Sequence, residues 1–455
     1  MNDDVLRLAH ERALAFLHGL PERHVGPRIS REELLQALGG SLTERGEEGE
    51  TVVGALAAAA ERGTIASAGP RYYGFVIGGS LPVALAADWL TSSWDQNPGI
   101  YATSPLSSVV EEIAGGWILD LLDLPRSASF GFVTGCQMAN FTALAAARHA
   151  VLRSVGWNVE ESGLHGAPPV SLIAGEEAHV TIHTSLRMLG FGTSALRMVE
   201  TDGAGRMRPE ALERMIDGSS GPMIICAQAG NVNTGSFDPL REIAQIARRH
   251  GAWMHVDGAF GLWARASGAR RHLADGIDLA DSWATDAHKW LNVPYDNGIV
   301  IVRDSASHRA SMTVTAAYLE QTTGVERDAV DWVPEFSRRA RGITVYAALR
   351  HLGRQGVEDL VERCCARAQQ MASLLSRNPR VRILNDVQLN QVLVRFGDDD
   401  ELTRAVIGRV QRDGTCWLAG TTWHGMAAMR ISFSNWMTSE SDVERSADAI
   451  LRSIG

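Results

Sequence analysis

The sequence predicts an α/β protein with a mainly parallel central sheet, helices on both faces, and a smaller α+β unit at the C-terminal end. Three observations carry that prediction. Between residues 130 and 305, short β-rich runs alternate with helical segments at the spacing of strand–crossover–strand units. Beyond residue 345, helices and short strands follow in mixed order. The 455 residues are 45% hydrophobic and 21% charged, which excludes a disordered or collagen-like chain and provides for a sizeable core.

Residues 1–75 read as an N-terminal helical arm. An Ala-rich, helix-prone stretch from Glu48 to Glu61 leads into the Gly-rich segment GPRYYGFVIGGSLP, which carries Tyr72, Tyr73 and Phe75. Those rings either pack as a local cluster or line a pocket. Residues 76–345 read as the large domain. Val109, Ile113, Trp117 and Leu121 recur at helical spacing. The β-runs SFGFVT, VSLIA, ALRMV, MIICAQ, AWMHV, SWAT and GIVIV follow, with helices expected over 136–155, 181–189, 209–216 and 238–250. A polar stretch over 303–338 lacks periodicity and reads as a lid or binding loop. Residues 346–455 read as the small domain, after helices expected at 342–352 and 357–375.

Charge and cysteine usage narrow the function. Lys+Arg total 43 against Asp+Glu 53, a formal charge of −10 with no basic block, so nucleic acid is not the expected partner. Five cysteines without a CxxC pair argue against a disulfide framework and a thiolate zinc site. The start, MNDDVLRLAHERALAFLHGL, scatters charges among its apolar positions and reads as neither a signal peptide nor a membrane span. A cytoplasmic enzyme is expected.

Open parallel sheets bind ligands at the carboxyl ends of their strands, so the residues after each β-run are the candidates. AWMHV ends in Asp257, beside Gly258, Ala259 and Gly261: a carboxylate facing a flat ligand, or a structural cap. SWAT leads into DAHKW, where Lys289, between His288 and Trp290, either has its pKa lowered by apolar surroundings and becomes an amine nucleophile, or is a surface lysine at a turn. TGCQMANF after SFGFVT opens a helix whose first amides can hold a phosphate. No dinucleotide or triphosphate fingerprint occurs there. His179 and His183 stand four apart, a spacing that suits packing, ring stacking or zinc. Asn231 and Asn233 follow MIICAQ and suit a turn or a polar contact. A lysine, a carboxylate, an anion site and a ring-stacking histidine at the ends of one sheet are what pyridoxal phosphate requires.

On HVDGAF, DSWATDAHKWLNVPYDNG, AGNVNTGSFDP, SRRARGITVYAALR and AMRISFSNWMTSESDV, the chain resembles the group II pyridoxal-phosphate-dependent amino acid decarboxylases, which share the aspartate aminotransferase-like fold (fold type I). The resemblance implies decarboxylation of an L-amino acid to its amine and carbon dioxide. It implies that Lys289 carries the cofactor, Asp257 partners its ring nitrogen, His179 stacks on the ring, and Ala259 lies under the opposite face. Asn231 would lie near the phenolic oxygen; His288 and the amides of Gln137 and Met138 would face the phosphate. Asp286 joins the cofactor-binding set, although asparagine is frequent there in one branch. Tyr318 falls where the family keeps the mobile-loop tyrosine that protonates the carbanion. A homodimer with the site at its interface is implied, with Tyr72, Tyr73 and Phe75 in the substrate pocket. An aromatic or apolar substrate side chain is expected, because GFVIGG offers no cation. The alternatives are aldehyde-forming oxidative deamination, transamination or a carbon–carbon lyase on the same fold, and a zinc hydrolase using His179 and His183.

Overall fold

Two sheets organise the chain in the computed structural model, which describes residues 3–313 and 326–455. The larger sheet has seven strands: β1 (Ser129–Val133), β2 (Ser171–Gly175), β3 (Leu196–Val199), β4 (Met223–Gln228), β5 (Trp253–Asp257), β6 (Ser282–Asp286) and β7 (Gly298–Val302). Their order across the sheet is β1-β7-β6-β5-β4-β2-β3, with β7 antiparallel to both neighbours and the rest parallel. Strands β1, β4, β5, β6 and β7 are buried along their whole length, as continuous apolar runs require when helices cover both faces.

Register places the strand ends that matter in two rows. Gly298 of β7 pairs with Val133 of β1 on one side and Asp286 of β6 on the other. Asp257 of β5 pairs with Gln228 of β4 and Ala284 of β6. The helix Cys136–Arg153 starts just past β1 and passes close over Gly298. A Cβ there would lie 2.4 Å from the Gly135 carbonyl carbon, so only glycine lets the helix start reach β6.

The smaller sheet is antiparallel, β10-β11-β9-β8, from β8 (Val381–Ile383), β9 (Gln391–Phe396), β10 (Ala419–Trp423) and β11 (Met426–Ser432). Two capped helices flank it. Asp399 caps Asp400–Asp413, and a Ser439/Asp442 capping box opens Glu440–Arg452. The expected helices at 342–352 and 357–375 are present within Gly342–Leu375 as two helices that meet at a kink at Gly353, where φ is 61°.

One expectation is corrected. The 303–338 stretch is not a loop throughout, because Asp304 caps a helix, Ser305–Met312, whose sequence SASHRASM has no apolar period to betray it. The Gly-rich end of the N-terminal arm is non-helical, in keeping with its composition. Residues 71–73 lie extended along the smaller sheet, with Tyr73 N–H donating to Trp417 O and Ser432 N–H to Tyr73 O. No helix among the described residues is long and apolar enough to cross a membrane.

Candidate active site

Lys289 lies one short turn beyond β6, and its ammonium is 3.0 Å from Asp286 Oδ2. The other oxygen of Asp286 accepts the Cys136 amide at 2.6 Å, so a carboxylate from β6 caps the helix that follows β1. His288 Nδ1 accepts Asn297 N–H at 3.0 Å. That leaves the proton on Nε2, which is 3.4 Å from Asp286 Oδ1. Burial lowers the pKa of His288 against the pull of Asp286.

The expected depression of the Lys289 pKa is reversed. Burial disfavours the ammonium, yet Asp286, with a smaller pull from Asp257, outweighs it, and the pKa stands above that of an ordinary lysine. The sequence shows the apolar neighbours of Lys289 but not that the carboxylate three residues earlier folds back onto it.

Asp257, at the end of β5, is 4% exposed and receives four donors. They are Ala259 N–H at 3.1 Å, Asn140 Nδ2 at 3.1 Å, the Cys136 thiol at 3.4 Å and the Thr181 hydroxyl at 3.5 Å. Behind Asn140 runs a fully buried chain with one consistent direction. Trp253 Nε1 donates to Ser282 Oγ, and Ser282 donates to His255 Nδ1. His255 Nε2 then donates to Asn140 Oδ1, each contact measuring 2.9 Å. Asn140 therefore has its oxygen on His255 and its nitrogen on Asp257. Burial drives the His255 pKa down to about 4, which keeps the ring neutral as this pattern requires.

His179 caps the helix Val180–Met188, with Nδ1 accepting from Thr181 N–H and 2.9 Å from the Thr181 hydroxyl. Burial lowers its pKa against the nearby Asp257. Ala259 sits between the two acids: its N–H donates to Asp257, and its carbonyl accepts from Asp286 N–H. Gln137 and Met138 follow the capped Cys136, and their amides have no acceptor among the described residues.

Other expected residues lie elsewhere or play another part. Asn231 closes a turn through its Oδ1, which accepts the amides of Asn233 and Thr234, while its Nδ2 is 3.5 Å from Glu177 O. Tyr73 is turned away from the site: it is buried against Phe433, and its hydroxyl is 3.0 Å from Ser446 Oγ. Tyr72 stacks on Trp417 at 5.1 Å, and Phe75, at φ 55°, lies over the same indole and is 57% exposed. Tyr318 lies outside the described residues. Among those described, no group of three His, Cys, Asp or Glu is placed to hold a metal ion, so His179 and His183 find no third ligand there.

One residue was missed. Arg430 of β11 is 8% exposed, its Nε has no partner among the described residues, and no carboxylate there pairs with it. Burial lowers its pKa, with the Tyr72 phenol opposing, and its charge reaches His179. A lone Arg inside the apolar run AMRISFS was the available signal, since arginine is rarely buried unpaired.

A lysine beside a helix start with two free amides, and a buried carboxylate fixed by four donors one strand away, fit an enzyme working through an aldehyde cofactor that bears a phosphate and a basic ring nitrogen. Residues 32–396 match the family described as "Pyridoxal-dependent decarboxylase conserved domain", and the chain belongs to that family. It is a pyridoxal-phosphate-dependent amino acid carboxy-lyase. It is 26% identical over 389 residues to the aromatic-L-amino-acid decarboxylase of Bacillus atrophaeus, covering 82% of this chain and 79% of that one. It is 30% identical over 323 residues to an acidic amino acid decarboxylase of Bos taurus, covering 69% of this chain and 61% of the relative. The fold superposes on the crystal structure of Oryza sativa TDC with PLP and tryptamine at a TM-score of 0.93, with 23% identity, over 100% of this chain and 98% of that one.

Proposed function

We propose that this enzyme decarboxylates an L-amino acid with an aromatic or apolar side chain to the corresponding amine, with Lys289 as the residue that carries the cofactor. The observation that carries the proposal is the convergence of the Lys289 ammonium, the four-donor Asp257 carboxylate and the free Gln137 and Met138 amides at the ends of β6, β5 and β1. When bound, pyridoxal phosphate supplies an electron sink for the pair left on the α-carbon as carbon dioxide departs. Asp257 would hold the ring nitrogen protonated, its own position fixed through Asn140 and His255. The amides of Gln137 and Met138, with the Nε2–H of His288, would hold the phosphate. His179, neutral and half-buried, would lie against the ring. Asn231 keeps its Oδ1 on the turn, and its Nδ2, 3.5 Å from Glu177 O, would be the group that gives a polar contact near the phenolic oxygen.

Arg430 would take a carboxylate of the substrate. Every amino acid brings one, and an unpaired buried guanidinium gains a charge-assisted partner by accepting it. Tyr72, Phe75 and Trp417 then leave aromatic surface for the side chain. Tyr318 would return the proton to the α-carbon, so that amine and not aldehyde is released. Leu6, Val52, Leu56, Leu90, Trp94 and Leu106 are exposed on the N-terminal helices and the helix Pro105–Leu121, an apolar surface that suits a homodimer of a cytoplasmic enzyme.

The test is a panel of L-amino acids given to the cofactor-loaded protein, with mass detection of amine, aldehyde and keto acid. Borohydride should fix the cofactor on the Lys289 peptide. Labelling elsewhere, or turnover confined to acidic substrates, would overturn the assignment.

A further inference from the structure

We propose that Asp286 is a positioning residue that holds the Lys289 ammonium against the start of the Cys136–Arg153 helix and sets the pH at which Lys289 becomes the free amine that captures the cofactor aldehyde. The inference rests on the reading of Lys289 as the cofactor-bearing residue.

Asp286 is rigidly placed. Its N–H donates to Ala259 O, its carbonyl accepts from Trp263 Nε1 at 3.0 Å, and its side chain is 3% exposed. The two carboxylate oxygens divide the work, Oδ1 on the Cys136 amide and Oδ2 on the Lys289 ammonium. The groups that face Lys289 are Asp286, Asp257, Cys136, His179, His288 and Tyr295. Burial keeps the thiol and the phenol protonated and both imidazoles neutral near neutral pH. Asp257 already accepts four donors. Among the described residues, the carboxylate in ion-pair contact with Lys289 is Asp286, and Asp257 acts on it from farther away.

Lys289 reacts with an aldehyde only as the amine. Its ammonium proton goes to solvent, its lone pair forms the bond to the aldehyde carbon, and the aldehyde oxygen leaves as water. A contacting carboxylate therefore delays capture to higher pH, by roughly 1–3 pH units for an opposite charge at this range. Asp286→Asn keeps an oxygen for the Cys136 amide and nearly the same volume while removing the charge.

The experiment uses the cofactor-stripped full chain as wild type, Asp286→Asn, Asp286→Ser and Asp286→Glu. Each is exposed to pyridoxal or to pyridoxal phosphate across the neutral to alkaline range, reduced with borohydride, and the Lys289 peptide is quantified by mass. The expected result is a capture midpoint lowered by about 1 unit or more in the Asn and Ser variants with both probes, and restored towards wild type by Glu. An unchanged midpoint in the charge-free variants overturns the inference, as does a shift seen with pyridoxal phosphate alone, which would put Asp286 at the phosphate and not at the lysine. Absence of label on wild-type Lys289 at every pH would instead remove the reading of Lys289 itself.

Discussion

Ser282→Ala tests whether the buried chain behind Asp257 is as tightly specified as its geometry says. Ser282 Oγ is the shared partner of Trp253 Nε1 and His255 Nδ1, at 2.9 Å each, and the serine is 0% exposed. Truncation strands an indole donor and an imidazole acceptor with no room gained for a full water network. Each orphaned buried group costs about 1–3 kcal/mol, so the variant should lose roughly 2–6 kcal/mol. Trp253→Phe alone removes the indole donor. In the double variant the indole is no longer stranded, so the pair of substitutions should cost less than the sum of the singles by about 1 kcal/mol or more. The assay is denaturant unfolding of the cofactor-free protein, read as midpoints for the four members of the cycle at one pH. A Ser282→Ala loss below about 1 kcal/mol, or strict additivity, would refute the chain as drawn, and with it the argument that His255 and Asn140 fix the orientation of Asp257.

Two further outcomes are expected. Arg430→Met should lower kcat/KM by roughly 10- to 100-fold, the worth of a hydrogen bond to a charged group at about 1.5–3 kcal/mol, without lowering the unfolding midpoint, because the guanidinium it removes is buried and has no partner among the described residues. Steady-state kinetics beside denaturant unfolding separate the two, and unchanged kcat/KM would remove Arg430 from the site. His308, buried between Ser129 Oγ and Trp332 O, has its pKa driven by burial down to about 3. Its folded pKa is below its unfolded value, so its contribution is present above the unfolded pKa of about 6.5 and is lost as pH falls towards the folded one. Between about pH 6 and 4, unfolding free energy should fall with acid more steeply in wild type than in His308→Gln, by up to about 1.4 kcal/mol per pH unit; equal slopes would show that the imidazole is not held neutral.

Much of the fold was legible because its signals are local. Seven β-runs separated by helical segments specify a doubly covered sheet, and the continuous burial of β4 to β7 is what unbroken apolar runs produce. The positions of Asp257, Lys289 and the helix Cys136–Arg153 were legible for the same reason, since each ends or follows a strand. What escaped were relations between strands. Asn140 and His255 are 115 residues apart in the chain, and nothing in MANF or WMHV says that they share a hydrogen bond. Arg430 comes from the other sheet, and its proposed role rests on the absence of a partner among the described residues, which no local pattern encodes.

Lys289 shows how far that difference reaches into the chemistry. An apolar flank argues for a low pKa if burial is the only force on the ammonium. The flank was read correctly, since burial does oppose the charge here. The sign is set by Asp286, held in place because Gly298 pairs with β1 and β6 together and has no Cβ to keep the helix start away. A substitution at Gly298 would push Gly135 outwards, separate the Cys136 amide from Asp286, and loosen the carboxylate that contacts Lys289. The proton affinity of the lysine is thus a property of sheet register as much as of its neighbours in sequence.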